Sequence, residues 1–162
     1  MITIHLFVAL VFAFAMFISS WATWSSLTLI CRGFGLKGVI AESHFDSHNN
    51  FIALMGGQRR YILAHPEQCD NMELYPVQHP SGRHSRIDWS NAYYLWRDSD
   101  RPFNHAQVNE VVLQAGDLMH LPTFWFHFIV SLNINYQCNS RSGESYEYEP
   151  FIERCGFGHP RG

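Results

Sequence analysis

A chain of 162 residues is long enough for one domain, and its 47% hydrophobic and 15% aromatic side chains supply the material for a substantial core. The formal net charge of −3 at pH 7 argues against a surface that binds nucleic-acid phosphates directly. The four cysteines have no CxxC or other zinc-binding spacing, but their even number permits two disulfides if the chain enters an oxidising compartment.

The N-terminal segment contains an unbroken apolar run, Leu6–Ile18 (LFVALVFAFAMFI). Its 13 residues fall short of the roughly 20 that span a bilayer comfortably, but suit the hydrophobic region of a signal peptide. Ser20 and Ala22 provide small residues for cleavage, although no Lys or Arg precedes the run. We predict a signal peptide or signal anchor over residues 1–24 and a luminal or secreted protein. The alternatives are a misplaced start or a buried first segment of a cytoplasmic protein, and membrane attachment requires that residues 6–18 be retained.

A succession of short strand patterns predicts an all-β barrel or sandwich over residues 25–143. Gly56-Gly57 separates two apolar runs and predicts a β-hairpin. The last strand reads NINYQCN from Asn133 to Asn139, so its amide side chains share one face and need partners in water or in a polar cavity. The predicted strands cover residues 25–31, 39–46, 51–55, 58–63, 108–114, 118–122, 124–132 and 133–139.

Two stretches lack a regular period. Residues 65–100 contain several prolines and predict a long insertion, and loops of this length are uncommon without a function. Within it, His79–Ser85 (HPSGRHS) gathers two histidines and an arginine, which fits either a solvated turn or a lid that faces substrate. Residues 144–162 are aromatic and acidic and then rich in Gly and Pro, and we predict a C-terminal tail there.

The sequence around His44 and Asp46 carries the strongest chemical signal. On an extended strand these two side chains point to one side and the phenylalanine between them to the other. His127, from a distant strand, completes a set of two imidazoles and one carboxylate. Such a facial triad leaves coordination positions open and suits a non-haem Fe(II) oxygenase. Of the competing histidines, His120 is better explained by packing, and His48, four residues past His44, would be a ligand only on a helix, which Asn49-Asn50 does not favour.

Five motifs occur in the order found in one family of oxygenases. They are His44-Phe45-Asp46, Asn50-Phe51, Gly57–Leu63 (GQRRYIL), Gly116-Asp117 with Leu121-Pro122, and Trp125-Phe126-His127. Over residues 38–143 the chain resembles the JmjC (jumonji C) or cupin-like 2-oxoglutarate oxygenases, and it is most similar to small hydroxylases such as the asparaginyl hydroxylase that acts on hypoxia-inducible factor. The resemblance implies a double-stranded β-helix, a jelly-roll barrel with the metal near one mouth.

The resemblance also implies the cofactor and the cosubstrate contacts. The triad would bind Fe(II), 2-oxoglutarate and oxygen would take the open positions, and oxidation of 2-oxoglutarate to succinate would drive hydroxylation. Relatives hold the distal carboxylate of 2-oxoglutarate with a Lys at the position of Arg59, and an Arg can make that salt bridge bidentately. Asn50 and Asn139 match positions where relatives place amides near the cosubstrate. Ala41 stands where relatives often carry a Thr, so one hydrogen bond is missing.

We therefore expect an Fe(II)- and 2-oxoglutarate-dependent dioxygenase of the hydroxylase type that acts on a protein or a small molecule, with no direct nucleic-acid partner. A catalytically inactive barrel that serves as a binding module, and a metal-dependent cupin enzyme of another chemistry, are the alternatives. If the chain enters the secretory pathway, Cys138 and Cys155 are the first pair to test for a disulfide, because a bridge there would pin the C-terminus to the closing strand.

Overall fold

The computed structural model describes residues 28–31, 34–91 and 100–158, and within them the chain forms nine strands, two short 3-10 helices and one α-helix. The strands are β1 Thr28–Ile30, β2 Phe34–Gly35, β3 Ile40–His44, β4 Asn49–Gly56, β5 Gln58–Ala64, β6 Asn109–Gln114, β7 Leu118–Leu121, β8 Phe126–Ser131 and β9 Asn135–Ser142. The 3-10 helices are Pro66–Asn71 and Pro102–His105, and the α-helix, α1, is Glu149–Glu153.

The strands form two antiparallel sheets. In the five-stranded sheet, β9 lies between β4 and the two short strands β1 and β2, and β7 pairs with the other edge of β4. The four-stranded sheet has the order β3-β8-β5-β6. Side chains of both sheets meet in one buried cluster, which consists of Ile52, Leu54, Tyr61, Leu113 and Leu121. The fold is the all-β jelly roll that the family resemblance implies.

Gly56 and Gly57 do not close a hairpin, so that prediction is wrong. β4 pairs with β7 and β9, whereas β5 pairs with β6 and β8, and the two consecutive strands lie in different sheets. Gly57 has a φ of +73°, and a Cβ at this position would overlap the carbonyl oxygen of Ile134. A glycine is therefore needed where the chain crosses from one sheet to the other.

A second hydrophobic cluster covers the outer side of the four-stranded sheet. Because alternate side chains of a strand face opposite sides, β8 gives Phe126 and Phe128 to this outer cluster and directs His127 into the barrel. The outer cluster consists of Phe45, Ala64, Cys69, Met72, Ile87, Trp89, Phe124, Phe126, Phe128, Ile152 and Phe157. Its members come from the strands, from the predicted insertion and from the C-terminal tail, so the last two are packed against the barrel.

The insertion also extends the four-stranded sheet at its edge. The amide of Ser85 donates to the carbonyl oxygen of Ser43 at 2.8 Å, and the amide of Phe45 donates to the carbonyl oxygen of Arg83 at 3.4 Å. These bonds place residues 83–85 alongside β3. The stretch is irregular in sequence, but here it pairs with the strand that carries His44.

The four cysteines form two disulfides, and neither is the pair expected from the sequence. Cys31 is bonded to Cys138, and Cys69 is bonded to Cys155, so the expected Cys138–Cys155 bridge is wrong. The register of β1 along β9 pairs Ile30 with Asn139 and thereby sets the next residue, Cys31, opposite Cys138. Cys69 lies in the first 3-10 helix and Cys155 follows α1, and both elements pack over the outer cluster.

The predicted signal segment, residues 1–24, lies outside the described residues, as does the beginning of the first predicted strand. In the part of the chain that the structure describes, no helix is long and apolar enough to cross a bilayer. The signal segment and the secretory route remain predictions.

Candidate metal centre and adjoining chamber

His44, Asp46 and His127 converge. His44 and His127 lie opposite each other on the neighbouring strands β3 and β8, with ring centroids 4.2 Å apart. Asp46 follows β3, and its carbonyl oxygen accepts a hydrogen bond of 2.8 Å from the amide of Phe124 in the loop before β8. Ligand atoms of the three residues all lie within 4.8 Å of one another, and no other described residues group three metal-ligating side chains in this way. Metal binding itself remains a prediction.

A hydrogen bond from Nδ1 to a backbone carbonyl oxygen orients each of the two imidazoles. Nδ1 of His44 lies 2.7 Å from the carbonyl oxygen of Glu42, and Nδ1 of His127 lies 3.1 Å from the carbonyl oxygen of Trp125. Because a carbonyl oxygen only accepts hydrogen bonds, Nδ1 carries the proton in each neutral ring and Nε2 keeps its lone pair. Metal-ligating histidines in proteins are oriented by this kind of hydrogen bond.

Burial keeps His127 neutral. The residue is only 4% exposed, and burial together with the neighbouring His44 lowers the pKa of His127 to about 4. The carbonyl oxygen of Trp125 and the carboxylate of Asp46 act in the opposite direction, but burial outweighs them. At pH 7 the ring is therefore neutral and offers the lone pair of Nε2, so no proton has to leave the ring for a metal to bind.

Two arginines flank the carboxylate of Asp46. Nη1 of Arg83 lies 3.3 Å from Oδ1, and Nη2 of Arg141 lies 3.2 Å from Oδ2. Burial acts to raise the pKa of Asp46, but His127, His44 and the two guanidinium groups together outweigh it and hold the pKa below its usual range. The carboxylate is therefore ionised, as a metal ligand must be.

His84 adds a further ring beside the centre. It stacks on His44 with ring centroids 5.0 Å apart and an interplanar angle of 18°. Burial lowers the pKa of His84, and the nearby His44 and Arg83 act in the same direction. The segment 79–85, which the sequence left between a solvated turn and a lid, therefore contacts the candidate centre through Arg83 and His84.

Arg59 projects from β5 into the barrel, beside the amide face of β9. Its Nε donates to Oδ1 of Asn135 at 2.5 Å, and its Nη1 donates to Oε1 of Gln137 at 2.6 Å. The hydroxyl of Tyr61, two residues along β5, donates to the same oxygen of Gln137 at 2.9 Å. Burial raises the pKa of Tyr61 despite the opposing effect of Arg59, so this hydroxyl keeps its proton at pH 7.

A chain of amides connects Arg59 with the region of the metal ligands. Nε2 of Gln137 donates to Oδ1 of Asn139 at 2.8 Å, and Nδ2 of Asn139 donates to Oδ1 of Asn50 at 3.3 Å. Arg141 follows two residues later on the same strand and reaches Asp46. The inner face of β9 thus carries a polar path from Arg59 to the candidate metal centre, and Asn50 and Asn139 lie along it.

Sequence reasoning placed the amide of Gln137 on the polar face of the last strand but did not assign Tyr61, Gln137 or Arg141 to the site. Strand alternation could have indicated all three. Tyr61 shares a face with Arg59 on β5. Gln137 and Arg141 likewise continue the amide face of β9 by steps of two. The alternation indicates which side of the strand they occupy but not that Arg141 meets Asp46, which is 95 residues away in the chain.

Comparisons with known proteins find a matching family and several relatives. Residues 34–143 match the cupin-like domain family. Lysine-specific demethylase JMJ31 of Arabidopsis thaliana is 27% identical over 111 residues, which cover 63% of this chain and 20% of that protein. Jumonji C domain-containing protein 5 of Drosophila melanogaster is 31% identical over 100 residues, which cover 60% of this chain and 23% of that protein.

A relative whose name indicates a different role is also similar. The tRNA wybutosine-synthesizing protein 5 of Mus musculus is 30% identical over 94 residues, which cover 58% of this chain and 27% of that protein. The matching part thus corresponds to between 20% and 27% of the length of these three curated relatives. The family match spans β2 to the end of β9, including the three converging residues and Arg59. On this match and on its jelly-roll fold, the chain belongs to the cupin-like domain family, alongside JmjC domain proteins.

Proposed function

We propose that the protein is an Fe(II)- and 2-oxoglutarate-dependent oxygenase of the hydroxylase type. The observation that carries the proposal is the convergence of His44, Asp46 and His127, with Nδ1 of both imidazoles engaged and both Nε2 lone pairs available. Two imidazoles and one carboxylate are the donor set of non-haem Fe(II) oxygenases. JmjC members of the family use Fe(II) and 2-oxoglutarate, so donor set and family support the same chemistry.

The donor set fits a divalent transition metal. His44, Asp46 and His127 would hold ferrous iron, which when bound would supply the redox chemistry that couples oxidation of 2-oxoglutarate to hydroxylation of a substrate. The contribution of the chain is to bring three donor groups together and to set the protonation of two of them. Burial keeps His127 neutral, and Arg83 and Arg141 help to keep Asp46 ionised.

We assign Arg59 to the distal carboxylate of 2-oxoglutarate. Its guanidinium lies in the barrel against the neutral amide oxygens of Asn135 and Gln137. A cation in the interior is costly without a negative charge beside it, and a dianionic cosubstrate would supply that charge. The hydroxyl of Tyr61 and the amides of Asn139 and Asn50 offer further hydrogen bonds along the path to the metal ligands.

The acceptor we propose is a protein or a small molecule. The net charge of −3 argues against a direct nucleic-acid substrate. The names of the relatives indicate both lysine demethylation and tRNA wybutosine synthesis, so family membership by itself does not determine the acceptor.

Anaerobic titration of the full chain tests the proposal. Fe(II) is added with and without 2-oxoglutarate, and the weak visible charge-transfer band is followed. We expect the band only when both are present, at one Fe(II) per chain. His127→Ala should abolish it. His105→Ala is the matched control, because His105 is exposed at the end of the second 3-10 helix and belongs to no metal-ligating group among the described residues, and it should leave the band unchanged.

Other outcomes favour the alternatives. Fe(II) binding that does not respond to 2-oxoglutarate would favour a metal-dependent cupin enzyme of another chemistry. No metal binding at all would favour an inactive barrel that serves as a binding module. Ala41 supports that last alternative, because it offers no hydroxyl to a cosubstrate where relatives often carry a Thr.

A further inference from the structure

The four cysteines pair completely, although they are far apart along the chain. Cys31 and Cys138 are separated by 107 residues, and Cys69 and Cys155 by 86 residues. No cysteine of the chain is left free. Thiols in a reducing compartment rarely form stable disulfides, so complete pairing by the tertiary fold is characteristic of proteins that mature under oxidising conditions.

Each pair joins a peripheral segment to the barrel. Cys31–Cys138 attaches the strand region around β1 to β9, where the neighbours Gln137 and Asn139 belong to the amide path. Cys69–Cys155 attaches the segment after α1 to the first 3-10 helix. The second pair lies in the outer cluster, which covers the sheet that carries His44 and His127.

The segment attached by Cys69–Cys155 contacts Phe45, the residue between the candidate ligands His44 and Asp46. Phe157, two residues after Cys155, packs edge-on against Phe45 with ring centroids 5.5 Å apart. Phe45 is 2% exposed, and it also packs against Phe126 at 5.4 Å. Since Phe45 lies between His44 and Asp46 in the chain, its position influences the direction of both ligand side chains.

We propose that Cys31–Cys138 and Cys69–Cys155 are structural disulfides formed in an oxidising compartment, and that Cys69–Cys155 positions the metal ligands through Phe157 and Phe45. In each pair, two thiols lose two protons and two electrons as the S–S bond forms. A small disulfide such as oxidised glutathione takes them up and becomes two thiols. The positioning role rests on the proposed function, whereas the pairing and the compartment do not.

Disulfide mapping tests the pairing. The full chain is refolded with reduced and oxidised glutathione, its remaining thiols are alkylated, and proteolytic fragments are identified by mass without reduction. We expect an intact mass about 4 Da below that of the reduced chain, since each bridge removes two hydrogens, and fragments that join residue 31 to 138 and 69 to 155. A Cys138–Cys155 fragment, or a folded chain with four alkylated thiols, would overturn the proposal.

Two double variants separate positioning from general stability. Both Cys31→Ser/Cys138→Ser and Cys69→Ser/Cys155→Ser should lower Tm by about 10 °C, because each pair closes a long loop in the unfolded chain. Only the second variant should weaken Co(II) or Fe(II) binding, by tenfold or more. Metal binding is also measured on folded wild-type protein before and after reduction by a water-soluble phosphine, which does not require the variants to fold; loss of both bridges should weaken binding by tenfold or more, and unchanged binding would refute the positioning role.

The outcomes are distinct. Equal weakening of metal binding in both variants, or none in the second, would refute the positioning role. A wild-type chain that forms both disulfides and binds no metal would refute the proposed function and leave the disulfide assignment standing.

Discussion

Arg59→Ala should weaken 2-oxoglutarate binding by roughly a hundredfold while leaving Fe(II) binding nearly unchanged. The guanidinium lies in the barrel at one end of the amide path, and the metal ligands lie at the other. A hydrogen bond to a charged group contributes about 1.5–3 kcal/mol, so a bidentate salt bridge in this sheltered position contributes about 3 kcal/mol. That free energy corresponds to a factor of about 150 in Kd.

The same substitution should also destabilise the protein. Asn135 Oδ1 loses the donor Nε of Arg59, and Gln137 Oε1 keeps only the hydroxyl of Tyr61. An unsatisfied buried acceptor costs about 1–3 kcal/mol, which thermal denaturation measures separately from ligand binding. Arg60→Ala is the matched control, because Arg60 is the next residue on β5 and pairs on the surface with Glu110 at 2.6 Å. An exposed pair of this kind contributes little to stability.

The assay is anaerobic calorimetry of 2-oxoglutarate binding to Mn(II)-loaded protein, with metal affinity measured on the same preparations. Parallel losses of metal and 2-oxoglutarate affinity in Arg59→Ala would mean that Arg59 is structural. Unchanged 2-oxoglutarate binding would refute its assignment as the anchor. Arg60→Ala should match the wild type in both measurements.

The metal-free protein should lose stability as the pH falls from about 6.5 to about 4, because unfolded His127 takes up a proton in this range while burial holds its folded pKa at about 4. Urea denaturation at several pH values should show a loss of about 3 kcal/mol that is absent in His127→Asn; a flat profile in the wild type would contradict the buried neutral ring. Gly57→Ala should lower Tm more than Gly38→Ala, since both glycines have positive φ but only at Gly57 would a Cβ overlap backbone; equal shifts would contradict the sheet crossover. Phe45→Ala should cost about 3–5 kcal/mol in chemical denaturation and weaken metal binding; an effect below about 1 kcal/mol would mean that the outer cluster does not depend on this ring.

Alternation along single strands explains why much of the candidate site could be predicted. His44 and Asp46 stand two residues apart, and the amides of β9 recur at the same interval, so their shared faces follow from the extended backbone alone. The position of Arg59 beside that amide face was expected from the family resemblance. The structure places the guanidinium of Arg59 against Asn135 and Gln137 of that face.

Local patterns were enough to predict the all-β class, the composition of each strand face and the residue types able to hold a metal, because these depend on neighbours a few positions apart. Contacts between distant parts of the chain, by contrast, set the change of sheets at Gly57, the pairing of Cys31 with Cys138, and the approach of Arg83 and Arg141 to Asp46. A glycine turn signals a change of direction but not which strand accepts the next one. Strand pairing joins residues from distant parts of the chain and is selected by packing across two sheets, so no local pattern encodes it.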